Sequence, residues 1–337
     1  MQTGSKWVAA INLARVVPLL LAGCLTGCLT GSAATSQTAH QPSPMALYTQ
    51  PWQSTLYLDH PLVGKLWDSA ANRFIDGAEL EAAIVRASYV LLGEKHDNPD
   101  HHAMQGQLLA SLFQQHRVAR LAFEMLDSAS QERLDQIYAQ RPETLAELKT
   151  YLDWDEEGWD WTYYGPLLQA GYQAGVPLFA ANIDTDTMRA VYASELPAAI
   201  ATVLDAEVTA RLNQDVDESH CGLLPESQFP AMVRVQQSRD NAMARALGPV
   251  SNEGVNVLVA GNFHVRRDLG VANYLLHGQP ELAPRAIVAL GMIEVQPEVT
   301  DPADYLEQFN AVRAYDYIWF TPAISDEDYC ASLRAGE

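Results

Sequence analysis

The sequence predicts an α/β fold: a central, mainly parallel sheet flanked by helices, with a helical subdomain over the C-terminal ends of the strands. Three observations predict it. Apolar runs recur along the 337 residues as continuous rather than alternating stretches, as expected of strands buried on both faces. Segments of helical periodicity separate these runs, which is the grammar of βαβ units. Finally, two runs end alike, Gly93-Glu94-Lys95-His96 and Gly261-Asn262-Phe263-His264, at the strand ends where a parallel sheet receives ligands.

The folded domain is expected over residues 46–337, and its elements follow in order. Asp76-Gly77 turns the chain into a helix over 78–86, and 89–93 is the first strand. Pro99 then opens a helix over 100–116, with Met104, Leu108, Leu109 and Leu112 on one face. Residues 119–125 read as a strand that Glu124 interrupts. Helices are expected over 131–139, 144–152 and 164–174, the last stopped by Gly175 and Pro177. A strand over 176–183 and a helix over 185–194 come next, then a long helix over 226–247 closed by Gly248-Pro249. Strands over 255–261, 286–293 and 315–320 complete the sheet. Two insertions without strand signals, at about 127–176 and 196–248, supply the helical subdomain. The first is dense in aromatics, among them Trp154, Trp159, Trp161, Tyr163, Tyr164 and Tyr172.

Acidic residues number 42 against 21 basic ones, a net charge of −21. That argues against nucleic acid or an anionic membrane face as the main partner. At the N-terminus Lys6 and Arg15 accompany an apolar core over 16–22, too short to span a bilayer and fitting a secretory signal over 1–23. Leu21-Ala22-Gly23-Cys24 resembles the lipobox of bacterial lipoproteins, whose cysteine is acylated after cleavage. Leu25-Thr26-Gly27-Cys28 fits the same pattern, and Cys24 is preferred because it lies directly behind the apolar core. A leucine after the cysteine resembles a sorting signal for the Gram-negative outer membrane. Residues 24–45 then read as an acylated N-terminus and flexible tether. Only Cys221 and Cys330 remain beyond it, and in an oxidising periplasm they can pair.

The chemistry-bearing residues begin with Glu94 and His96, which lie two apart and so point to one side of an extended strand end. His264 arrives from a second strand tip, and the glycine before each motif permits a tight turn. Glu124 is a lone carboxylate in a buried strand and needs a partner or a task. Together the four suit a divalent metal or a general acid–base pair; the plainer reading is salt bridges and loop caps. His101 and His102 open a helix, where successive side chains diverge, so at most one can face a site. His40, His60, His116, His220 and His277 read as surface or loop residues. Of Arg266 and Arg267, one is expected to pair with an acidic ligand group, Arg266 being the candidate, and the other to be solvated. Tyr163 and Tyr164 precede Gly165-Pro166 and can present a phenol to a pocket, although aromatics this dense usually form core.

These words resemble one known family. Leu-Leu-Gly-Glu-Lys-His-Asp-Asn-Pro-Asp-His-His at 91–102, Phe123-Glu124-Met125, the Trp-Asp-Trp-x-x-Tyr-Gly-Pro-Leu segment at 159–167 and Ala260-Gly261-Asn262-Phe263-His264-Val265 are similar to the ChaN family of haem-binding lipoproteins. The likeness continues into 270–275, where Ala272 replaces a proline common in the family. The resemblance implies an iron-regulated outer-membrane lipoprotein of haem acquisition that binds haem through a tyrosine and can dimerise around stacked haems, with an uptake receptor as a further partner. Tyr164 is then the first candidate for the iron ligand and Tyr163 the second, with His96, His264, Glu94, Glu124 and Arg266 around the cofactor. The wider superfamily includes Tiki and TraB-type proteins, some of them metal-dependent proteases. The alternatives are therefore a divalent-metal hydrolase, with His96 and His264 as ligands and Glu94 or Glu124 as base, and a scaffold lipoprotein with a degenerate site.

Overall fold

The structure, a computed structural model, describes Tyr48, residues 51–115 and residues 117–335. The expected signal peptide, the acylation candidates Cys24 and Cys28, most of the tether, His40 and His116 lie outside the described residues.

Strands β1 (Leu66–Asp68), β2 (Arg73–Ile75), β3 (Tyr89–Glu94), β4 (Val118–Asp127), β5 (Leu178–Asn182), β6 (Val255–Gly261), β7 (Ile287–Glu294) and β10 (Tyr317–Thr321) form one eight-stranded sheet in the order β2-β1-β10-β7-β3-β6-β4-β5. The six strands from β10 to β5 are parallel. The β1–β2 hairpin adds antiparallel to β10. It was not expected, because three-residue strands are too short to carry a period. A separate ribbon joins β8 (Gln308–Phe309) to β9 (Val312–Arg313). Thus the sheet is mixed at one edge and parallel where the motifs lie.

The helices are α1 (Gly77–Arg86), α2 (Pro99–Gln114), α3 (Gln131–Gln140), α4 (Leu145–Leu152), α5 (Trp161–Gln173), α6 (Thr185–Ala193), α7 (Ala198–Ala201), α8 (Ala206–Ser219), α9 (Phe229–Leu247), α10 (Asn262–Val265), α11 (Val271–Gly278) and α12 (Tyr329–Ala335). Their starts have local causes. Asp76 and Thr144 form capping boxes ahead of α1 and α4, and Asn98 caps α2 with Pro99 in the first turn. No helix among the described residues is long and apolar enough to cross a membrane.

The chain order reverses around β3. β7 pairs on one side of it and β6 on the other, which opens a crevice at the C-terminal strand ends. Alternate residues feed two cores. Val90, Leu92, Leu121, Phe123 and Val259 face α1, α2 and α5, whereas Tyr89, Leu91, Ala122, Leu258 and Ala260 face α8, α9 and α11. Each fully buried leucine or valine contributes about 1.5–3 kcal/mol, so a one-residue slip of β3 would exchange its two faces at prohibitive cost.

One boundary matters for function. α5 begins at Trp161, capped by Asp160, rather than at Tyr164. Both tyrosines therefore lie within its first turn and point in different directions. Gly165 is required there, because a Cβ would come within 2.5 Å of the Trp161 ring. Finally, Cys221 and Cys330 form a disulfide with Cα atoms 5.4 Å apart, tying α12 to the end of α8.

Candidate functional site

Glu94 ends β3 and is buried. Its Oε1 accepts the Tyr164 hydroxyl at 2.7 Å and lies 2.9 Å from His96 Nδ1. The shared side predicted for Glu94 and His96 is thus realised. Oε2 lies 2.9 Å from His102 Nδ1, at an angle unsuited to a hydrogen bond. Burial, the largest influence, pushes the Glu94 carboxyl up; the His102 and His96 rings outweigh it and hold it well below the usual carboxylate range. His102 Nε2 donates to the His96 carbonyl at 3.0 Å, and the ring is stacked under Tyr163 with centroids 4.6 Å apart. His101, by contrast, accepts the Lys95 N–H and bonds Thr321 Oγ1. It anchors the loop, and burial pushes it down to about 3.

Glu124 stands on the other face of the sheet. The register aligns Glu94 with Gly261 and Phe123 with Val259, so Glu124 shares a side with Ala260, opposite to Glu94. Its Oε2 accepts the Gly261 N–H at 2.8 Å, and its Oε1 lies 3.3 Å from His264 Nε2. The other nitrogen of His264 lies 2.6 Å from Asp240 Oδ1 and 3.0 Å from the Gln236 amide, both on α9. Burial lowers His264, but Glu124 and Asp240 outweigh it and raise the ring to about 10. Burial likewise opposes ionisation of Glu124, yet the His264 charge holds it at about 2.

The four residues expected in one cluster therefore form two hydrogen-bonded sets, one per face, and His96 spans the gap. A Cβ on Gly261 would lie 2.8 Å from His96 Nε2 and 3.6 Å from Glu124 Oε2. The His96 ring packs edge-on against Trp159 at 4.9 Å and its side chain is 44% exposed. Burial lowers it, whereas the Glu94 hydrogen bond and the Glu124 charge raise it above its ordinary value.

Tyr164 is 1% exposed and donates to Glu94; burial and that carboxylate keep its proton far above the ordinary phenol range. Its phenol is turned into the protein, toward Glu94. Tyr163 is partly exposed, and among the described residues its hydroxyl makes no hydrogen bond. Burial raises its phenol above the ordinary value, and the Asp160 and Asp97 charges act in the same direction. Arg266 is not available to a ligand: it is buried, bidentate on Asp268 at 2.7 and 2.9 Å, and paired with Glu307. Nor is Arg267 solvated, since it bonds Asp316 at 2.7 Å. His96 and His264, the alternative metal ligands, contact Glu94 and the Glu124–Asp240 pair respectively. Among the described residues no three His, Cys, Asp or Glu side chains converge to hold a metal.

Two residues were missed. Asp240 lies on the buried stripe of α9 with Val233, Gln237, Ala244 and Leu247, so an acid at that helical spacing was a readable signal. Arg239, its neighbour, gave no such signal.

A protein-family model described as haem-binding uptake, Tiki superfamily, ChaN, matches residues 80–275, more than half of the chain. The chain belongs to this family. The matched span carries every ChaN-like motif quoted above and both hydrogen-bonded sets. Among solved structures, the ChaN of Campylobacter jejuni, described as binding haem cofacially, matches with a TM-score of 0.61 at 22% identity, over 75% of this chain and 95% of that one. The likeness shows a shared ChaN fold. An erythromycin esterase mutant in its open conformation matches at 12% identity over 75% of this chain and 95% of its own, with a TM-score of 0.43. Among curated proteins, none matches.

Proposed function

We propose that the chain binds haem at the crevice edge of its sheet during haem uptake, and that the iron ligand is the Tyr163 phenolate. A tyrosinate ligand needs a phenol that reaches the metal and can lose its proton. Tyr163 fits: its ring is seated on His102, and its hydroxyl has no partner among the described residues. That placement is the observation that carries the reading. Tyr164 takes a supporting part: it donates to Glu94, whose carboxylate lies 2.9 Å from the His102 ring on which Tyr163 is stacked. The exposed His96 packs edge-on against the half-buried Trp159.

Bound haem would supply a Lewis-acidic iron and a flat apolar face; the chain's own residues only bind and orient it. Family membership and the cofacial haem described for the Campylobacter chain support the cofactor and a haem-stacked dimer. The proposal also includes acylation at Cys24, or else Cys28, an outer-membrane location, and delivery to an uptake receptor. Titration with haemin tests it. The expected result is saturable binding with the charge-transfer band of a tyrosinate-ligated high-spin ferric haem. Absence of saturation, or a histidine-type spectrum, overturns it.

A further inference from the structure

A cavity of about 680 Å³ lies between α6, α8 and α9. Its apolar walls include Met188 and Tyr192 of α6, Leu212 of α8, Met232 and Val235 of α9, and Phe263 of α10. α6 buries none of its residues; its apolar side borders this cavity. A second cavity, of about 390 Å³, reaches Glu124 and Trp159, and Met188 and Arg239 line both.

Arg239 is the anomaly. Its Nε is buried without a hydrogen-bond partner, and the contact its terminal nitrogen makes is with Met188 Sδ at 3.9 Å. Of the other arginines that lack a carboxylate partner, Arg120 stacks over Phe179 and Arg234 bonds two backbone carbonyls, whereas Arg239 combines a buried Nε without a partner with a place on both cavity walls. Among the described residues Arg239 has no carboxylate partner; its side chain is half-buried, and a buried Nε without an acceptor is costly. Asp215, the acid on the same wall, is committed to Arg211 at 2.6 Å, and Arg189 to Asp186.

The geometry points to a site for an amphipathic carboxylic acid, with the apolar body in the cavity and the carboxylate on Arg239. The volume suits a small-molecule ligand. A guanidinium takes a carboxylate through two parallel hydrogen bonds, and the two methionines give an adaptable lining. A free long-chain acid and a propionate of haem share this chemistry. The site rests on Arg239 and the cavity alone, so it stands or falls separately from the Tyr163 assignment.

Dansyl-undecanoic acid and its methyl ester, titrated by fluorescence into the haem-free full chain, test this. The acid should bind at least about tenfold more tightly than the ester, the worth of one charge-assisted contact. Arg239→Met should reduce the acid to the ester's level while leaving the unfolding temperature equal or higher. Met232→Trp, which fills the cavity, should weaken both probes. If haemin displaces the acid and Arg239→Met weakens haemin with an unchanged iron spectrum, the carboxylate is a propionate. If haemin and the acid bind together, it is a separate acid. Equal binding of acid and ester, or an unaffected Arg239→Met, overturns the proposal.

Discussion

Asp240 Oδ1 lies 2.6 Å from Nδ1 of His264, while Glu124 stands at its Nε2. One imidazole is thus bracketed by acids from a helix and a strand, and α9 is locked to the end of β6 through it.

Asp240→Asn should keep the shape and lose the charge. Breaking a buried pair leaves the remaining charge uncompensated, at a cost of about 3–5 kcal/mol; retention of the amide places the expectation at the low end. Denaturant unfolding at pH 7 measures it. A loss within experimental error would show that the bracket is not structural.

The same bracket fixes a pH dependence. His264 is raised from 6.5 to about 10, so its contribution is complete below 6.5 and is lost as pH climbs toward about 10. Glu124 is lowered from 4.5 to about 2; its contribution is complete above 4.5 and is lost as pH falls toward about 2. Both describe one coupled set with Asp240, so they are not added. Stability should plateau between 4.5 and 6.5 and decline above. His264→Gln should flatten the alkaline decline in a series of melts; an unchanged slope counts against the assignment.

Two glycines should differ sharply. A Cβ on Gly93 would lie 2.4 Å from Asn262 Oδ1 and 2.5 Å from Val265 Cγ2, so Gly93→Ala must shift α10 at a cost of about 1–3 kcal/mol. At Gly261 the nearest neighbour is the tip of His96, which is exposed and can swing out. Gly261→Ala should therefore unfold near the wild-type temperature while changing the titration of His96 by NMR.

Reduction of the Cys221–Cys330 bond should lower stability by about 2–4 kcal/mol, toward the upper end given a separation of 109 residues. Melts with and without reductant measure it. The doubly serine-substituted protein should be indifferent to reductant.

Much of this was legible in the sequence. The apolar runs within Tyr89–Glu94 and Val255–Gly261 were readable as central parallel strands because burial on both faces leaves few polar residues in them, Asn256 inside one and Glu94 at the end of the other. The same period of two could have separated Glu94 from Glu124, but only with the register of β3, β6 and β4 in hand, and register is a tertiary fact. The two Gly-x-x-His words also fold differently: His96 lies in a turn and His264 in a helical turn. Identical spacing does not fix backbone conformation. The expected start of α5 at Tyr164 fell three residues late, and the directions of Tyr163 and Tyr164 were hidden with it, because each helical step rotates a side chain by about 100°. Arg239 was invisible because only the fold shows which arginine lines two cavities with its Nε unpaired.

The central claim concerns Tyr163, and paired haemin titrations of Tyr163→Phe and Tyr164→Phe test it most directly. Tyr163→Phe should lose the tyrosinate charge-transfer band and bind haemin at least about tenfold more weakly. Tyr164→Phe should keep the band and lose about 1–3 kcal/mol of stability, from a buried carboxylate short of one donor. A band that survives Tyr163→Phe and vanishes in Tyr164→Phe would contradict the account.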